Sequence, residues 1–138
     1  MPDDTPDEVW ALLTHAVMER RGAFRRAAAE RAGLPFSRVR VLKRLRRGPM
    51  TIGRIAESAD MDAPAATVAV NDLVERGLVD RTPDPHDRRA RLVSLTAAGR
   101  ATVADAVSPP GIAPPELEAL TTDELRVLAD IARRLQVP

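Results

Sequence analysis

Cysteine is absent from these 138 residues, which excludes disulfides, thiol redox sensing and cysteine-based zinc sites. Histidine occurs only at His15 and His86, too sparse for a transition-metal site, so neither a metal nor a cofactor is expected. Tyrosine is missing and aromatics make up 2% of the chain, so the core must rest on Leu, Val, Ile and Ala, a composition that favours helices. No apolar run approaches the roughly 20 residues of a membrane span. The acidic start of the chain is unlike a secretory signal, and a soluble, cytoplasmic protein without a membrane partner is expected. A Gly-rich phosphate loop, a metal-ligand cluster and a Ser/His/Asp or Cys/His pairing are all missing, so no catalytic residue is nominated and no enzyme is expected. His86-Asp87 is the one adjacent base and carboxylate, and it falls in a turn open to water.

Charge is present but unevenly placed. The net value is +1, yet residues 1–19 hold five acidic groups and no basic one, residues 20–100 hold 18 basic against 9 acidic, and residues 101–138 hold 3 basic against 6 acidic. A basic middle between acidic ends is the pattern expected when the centre meets phosphate and the ends do something else. The length suits one domain with a single core.

Thr5-Pro6-Asp7-Glu8 predicts a helix start with a capping hydroxyl, a proline at the first helical position and a glutamate reaching back. Val9, Leu13, Ala16, Val17, Phe24 and Ala27 recur at helical spacing, and one helix of about 25 residues is expected up to Gly33. A second helix follows Leu34-Pro35 with Val39, Leu42 and Leu45 inward, and ends at Gly48-Pro49. Its outer face carries Arg38, Arg40, Lys43, Arg44, Arg46 and Arg47. Thr51 opens a short helix with Ile52, Ile55, Ala56 and Ala59 as its apolar stripe. Asp62 caps the next, where Ala66, Ala69, Val70 and Leu73 face inward as far as Gly77.

Two alternating segments, Leu78 to Thr82 and Arg91 to Leu95, then flank the loop Asp84-Pro85-His86-Asp87-Arg88-Arg89 and read as a β-hairpin. A narrow loop bearing guanidinium groups fits a nucleic-acid groove; Arg89 is the group expected to insert, with the Asp87 carboxylate holding it in one orientation. Thr96 caps a helix that ends near Val107, because Ser108-Pro109-Pro110-Gly111 and Pro114-Pro115 cannot continue it. Thr121-Thr122-Asp123-Glu124 opens a last helix with Leu125, Leu128, Ile131, Ala132 and Leu135 on one face.

Asp87-Arg88-Arg89, followed by Arg91-Leu92-Val93-Ser94-Leu95-Thr96 and Gly99, resembles the wing signature of MarR-type transcriptional regulators, and Leu73 to Asp80 resembles their entry to the wing. The similarity runs more weakly from about Leu34 through Thr96 and again over Leu120 to Leu135. It implies a mainly α fold with a small β-hairpin: a winged helix-turn-helix over 34–97, with dimerisation helices over 1–33 and 98–138. It also implies a homodimer on double-stranded DNA and a small aromatic or anionic effector between the dimerisation helices and the winged region. Trp10, His15, Phe24 and Arg40 are the residues nominated for that pocket.

In the winged helix-turn-helix order the helix after Asp62 enters the major groove while the hairpin reaches the minor groove. Its outward residues include Ala65, Thr67, Val68 and Asn71. Asn71 is expected to address adenine, while Ala65, Thr67 and Val68 pack on thymine methyls. MarR-type recognition helices commonly carry an arginine about where Val68 stands, and this one has no basic residue before Arg76, which limits direct readout. More of the affinity then falls to the wing residues Asp87, Arg88 and Arg89, and to phosphate contacts from Thr51, Arg54 and the basic helix with Arg38, Arg44 and Arg47. A second reading of the bare helix is a winged-helix module that binds protein or structured RNA.

Overall fold

The computed structural model describes residues 4–136, so the outermost residues of the two expected dimerisation segments, 1–3 and 137–138, lie outside the described part. Eight helices and one hairpin follow in the order α1 (Pro6–Glu19), α2 (Arg21–Ala32), α3 (Phe36–Leu45), α4 (Ile52–Ser58), α5 (Ala63–Glu75), β1 (Val79–Pro83), β2 (Arg91–Leu95), α6 (Ala97–Val107), α7 (Pro115–Glu118) and α8 (Thr122–Arg134). This is the mainly helical winged helix-turn-helix expected from the sequence.

The helix starts follow their caps. Thr5 accepts from the Glu8 amide at 3.2 Å while the Glu8 carboxylate accepts from the Thr5 amide at 2.8 Å, and Thr121 and Glu124 repeat the exchange at 3.2 and 2.8 Å. The Thr5 amide, and then its hydroxyl, hold the Glu8 carboxyl below its ordinary pKa. Thr51, Asp62 and Thr96 cap α4, α5 and α6 more simply, each side-chain oxygen accepting the amide three residues on.

The first helix departs from expectation. The single helix from Pro6 to Gly33 is instead two helices, α1 and α2, broken at Arg20. The cause is a side chain inserted in the hydrogen-bond ladder: the Arg20 guanidinium donates to the Ala16 carbonyl at 3.0 Å, and the Arg20 amide turns to Val17 instead. The same guanidinium reaches Glu116 of α7 at 3.2 Å. The helix α7 itself is a single turn inside the proline-rich stretch, where the sequence predicts no helix.

The core sits in the winged helix-turn-helix. Val39, Val41, Leu42, Ile55, Val70, Leu73, Val79, Val93 and Val103 are fully buried, joined by Ala28 of α2 and Ala106 of α6. The inward stripes expected for α3 and α5 lie in it, as do Ile55 and Ala56 of α4, while Ile52 packs against it half-buried and Ala59 is buried just past the helix end. The hairpin is antiparallel, running from the Val79–Leu95 pair to the Pro83–Arg91 pair, and β1 starts one residue later than expected. Met50 adds a single bridge to Val93 on the hairpin's open edge, through bonds of 3.0 and 2.8 Å.

At its base the hairpin is welded to α6. The Thr96 hydroxyl donates to the Gly77 carbonyl at 2.7 Å and the Thr96 amide donates to Leu78 at 3.1 Å. Gly99 allows this approach, because a Cβ there would stand 2.0 Å from the Leu78 carbonyl oxygen. The helices α1 and α8 contribute no buried residue to this body. Among the described residues no helix is long and apolar enough to cross a membrane, and no cluster of potential metal ligands occurs.

Candidate nucleic-acid interface

Helix α5 separates its faces cleanly. Ala66, Ala69, Val70 and Leu73 are buried, while Ala65, Thr67, Val68 and Asn71 stand in solvent, Val68 with 58% of its surface exposed. The Thr67 hydroxyl is turned back onto the Ala63 carbonyl at 3.0 Å. The outward surface of the helix is therefore small, largely apolar and without a cation.

The basic face of α3 divides into engaged and exposed groups. Arg38 donates through Nε to Asp72 of α5 at 3.0 Å, and Arg76 meets the other oxygen of the same carboxylate at 3.0 Å. The hydrogen bonds from Arg76 and then Arg38 hold the Asp72 carboxyl below its ordinary pKa. Arg40 reaches the Ala59 carbonyl at 3.2 Å and lies over the Phe36 ring, while the Lys43 ammonium lies 5.4 Å from the centre of the Phe24 ring. Burial first, then the charges of Arg44, Arg46 and Arg40, push the Lys43 pKa down. Arg44 is half-buried, with Nε lacking a partner, and Arg46 and Arg47 are exposed. Thr51 spends its hydroxyl on the Arg54 amide at 3.3 Å, and the Arg54 side chain extends into solvent beside Glu57.

At the wing tip the carboxylates order the backbone. Asp84 accepts from the His86 amide and Asp87 from the Arg89 amide, each at 2.9 Å, and the Asp84 amide closes the loop onto the Ala90 carbonyl at 3.1 Å. The expectation that the Asp87 carboxylate grips the Arg89 guanidinium is corrected: no ion pair joins the two among the described residues, and Asp87 holds the Arg89 backbone amide through Oδ1 instead. Arg88 and Arg89 are exposed, and among the described residues neither meets a carboxylate.

Arg81 is a site residue that the sequence alone does not nominate. Its Nη2 donates to Oδ1 of Asn71, setting a guanidinium beside the exposed face of the cation-free helix. A signal exists: Arg81 stands two residues after the buried Val79, so its side chain leaves β1 on the same face.

The four residues nominated for an effector pocket do not share a cleft. Trp10 is exposed on α1, Phe24 is covered by Lys43, Arg40 is bound to Ala59, and His15 lines a shallow groove with Asp4, Glu8, Ala11 and Leu12. A separate cleft of about 420 Å³ lies between the end of α3, β2 and α6, with Leu45, Leu95, Pro49 and Val103 as apolar wall and Arg46 and Arg100 as its charged groups.

Comparison with known proteins places this geometry. Residues 32–90, from the end of α2 to the wing tip, match the model of the MarR family. No curated protein matches the chain in sequence. Among solved structures, a probable transcriptional regulator from Pseudomonas aeruginosa is 28% identical with a TM-score of 0.60, over 88% of this chain and 95% of that one. The transcriptional regulator BldR from Sulfolobus solfataricus is 25% identical with a TM-score of 0.62, over 94% and 97%. A variant of MarR from E. coli complexed with operator DNA shares the fold at 22% identity, with a TM-score of 0.61 over 96% and 99%. The family match across the helix-turn-helix and the first strand of the wing, and the same fold over most of the chain's length, make the chain similar to the winged helix-turn-helix proteins of the MarR family.

Proposed function

We propose that the protein is a non-enzymatic cytoplasmic regulator that binds double-stranded DNA as a homodimer, each copy reading one half of a near-palindromic site. The observation that carries this reading is the exposed side of α5, kept out of the core along its length and followed directly by a wing whose Arg88 and Arg89 meet no carboxylate among the described residues. Helix α5 enters the major groove, Arg89 enters the minor groove, and Thr51, Arg54, Arg44 and Arg47 lie against phosphate. Arg38 acts indirectly, through its hold on Asp72.

Enrichment of duplexes from a random pool, followed by titration of the winning sequence against scrambled duplex at several salt concentrations, tests the reading. A defined, roughly two-fold motif with salt-dependent affinity is expected. One observation favours a protein- or RNA-binding module instead, the apolar, cation-free surface around Val68. Equal affinity for all duplexes would decide for that module.

A small aromatic or anionic effector belongs to the same proposal. The cleft between α3, β2 and α6 has the chemistry for it, an apolar wall with two guanidinium groups. A rise in melting temperature with benzoate, abolished in Arg100→Ala, is the expected sign.

A further inference from the structure

The recognition helix has no cation of its own on its exposed side, and the first basic residue at its end, Arg76, is committed to Asp72. Arg38, the nearest basic group of α3, is committed to the same carboxylate. Arg81 of β1 differs from both. It is exposed, it meets no carboxylate among the described residues, and its guanidinium is steered by a neutral side chain, the Asn71 carboxamide. A carboxylate partner would offset its charge; an amide orients it and leaves the full positive charge outward.

The contact also changes what Asn71 offers. Reading adenine in the major groove takes one acceptor and one donor from the carboxamide, set against N6 and N7. Here Oδ1 accepts from Arg81, which turns the carboxamide toward the guanidinium and away from a paired donor–acceptor approach to one adenine, while the second lone pair and the Nδ2 donors stay open. The group that Arg81 adds beside this helix is a fork of donors alone. The matching base edge is guanine, whose O6 and N7 are both acceptors, and the guanidinium fork meets that pair in the bidentate manner.

We propose that Arg81, aimed by Asn71, is the specificity-determining side chain for a guanine in each half-site, so that the hairpin strand supplies the arginine the recognition helix lacks. This rests on the duplex-reading function proposed above, and it replaces adenine by guanine as the base opposite Asn71. Asn71 is a positioning residue in this arrangement: its own donors supplement a contact that the arginine makes.

Selection from a random duplex pool with the full chain tests it, using the parent, Arg81→Gln, Arg81→Lys and Asn71→Ala side by side. The parent should enrich a motif with guanine fixed at one position per half-site. Arg81→Gln should lose that preference by roughly 5- to 150-fold while the other positions keep theirs. Arg81→Lys retains charge but not the fork, so it should bind random duplex as the parent does and still relax the same position. Asn71→Ala should relax it by a smaller factor. The assignment is overturned if Arg81→Gln enriches the parental motif unchanged and loses affinity for every duplex alike, the mark of a phosphate contact, or if Asn71→Ala releases an adenine instead. A parent protein that enriches no motif overturns the duplex-reading function itself, and this assignment with it.

Discussion

Asp87 sits two residues before Arg89, and its carboxylate holds the Arg89 backbone amide, so the tip is ordered through its main chain and the guanidinium stays available. Removing the acceptor and removing the charge are then separable. Asp87→Ala loses both and should weaken duplex binding although it deletes a negative charge; Asp87→Asn keeps an acceptor for the amide and should bind at least as tightly as the parent. Arg89→Ala should cost about 1–3 kcal/mol of DNA affinity. Titrations on one duplex at fixed salt check all three, and tighter binding by Asp87→Ala would refute the ordering role. Asp72 invites a test by pH. Its folded-state pKa is depressed by Arg76 and Arg38, so the stability it contributes is present above the ordinary carboxylate value of 3.8 and is lost as pH falls through the lower folded value. Asp72→Asn should melt several degrees below the parent at neutral pH, and the gap should close as the solution is acidified below pH 3.8; a gap independent of pH would refute the linkage. Asp87 with Arg89 is legible as a pair of turn neighbours, and Asp72 with Arg76 has helical i,i+4 spacing, but the pairings between elements are not legible in the sequence. Arg38 and Asp72 are 34 residues apart, and only tertiary structure brings such groups together. Arg81 and Asn71 join a strand to a helix, and the alternation that points Arg81 toward α5 does not say which side chain it meets.

At the scale of elements the sequence is most readable where a local rule acts alone. The caps at Thr5, Thr51, Asp62, Thr96 and Thr121 each need only the next three residues, and all five open helices where the hydroxyl or carboxylate predicts. The break at Arg20 lies beyond that reach: Gly22 stands two residues on, but a lone glycine is tolerated inside a helix, and the Arg20 guanidinium is committed in part to the distant Glu116. The weld between hairpin and α6 makes the sharpest prediction of stability. Gly99→Ala places a methyl group inside the contact distance of the Leu78 carbonyl and must push α6 off the hairpin base. Overpacking of this kind costs about 1–3 kcal/mol, read as a lowered midpoint in a chemical or thermal melt followed by circular dichroism. The charged side of α3 carries a different expectation. Neutralising Arg44 and Arg47 together should weaken specific and random duplex alike, and should flatten the slope of log K against log salt by about 1 for each phosphate that no longer meets a cation. Weakening confined to the specific duplex would show that these residues serve base reading.

For the whole molecule, the decisive surface is the one the single chain leaves uncovered. Trp10, Leu12 and Val17 of α1 are each more than 60% exposed, and Leu125, Val127 and Ile131 of α8 are exposed as well, although both helices are well capped and amphipathic. Exposed apolar side chains on two capped helices suit a surface that a partner covers, and a two-fold partner is the economical cover. Sedimentation equilibrium should give twice the chain mass at micromolar concentration; a monomer there would refute the dimer and the half-site geometry together. The charge distribution, acidic at both ends and basic between them, suits the proposed division of roles between the terminal helices and the centre. The broken first helix adds a kinetic corollary. Because α1 has no buried residue and is cut from α2 at Arg20, its hydrogen bonds in the proposed dimer should be protected chiefly while the partner is docked. Amide exchange in α1 should therefore accelerate on dilution while exchange in α5 stays constant, so that the rate at which one helix takes up deuterium reports the concentration of the protein itself.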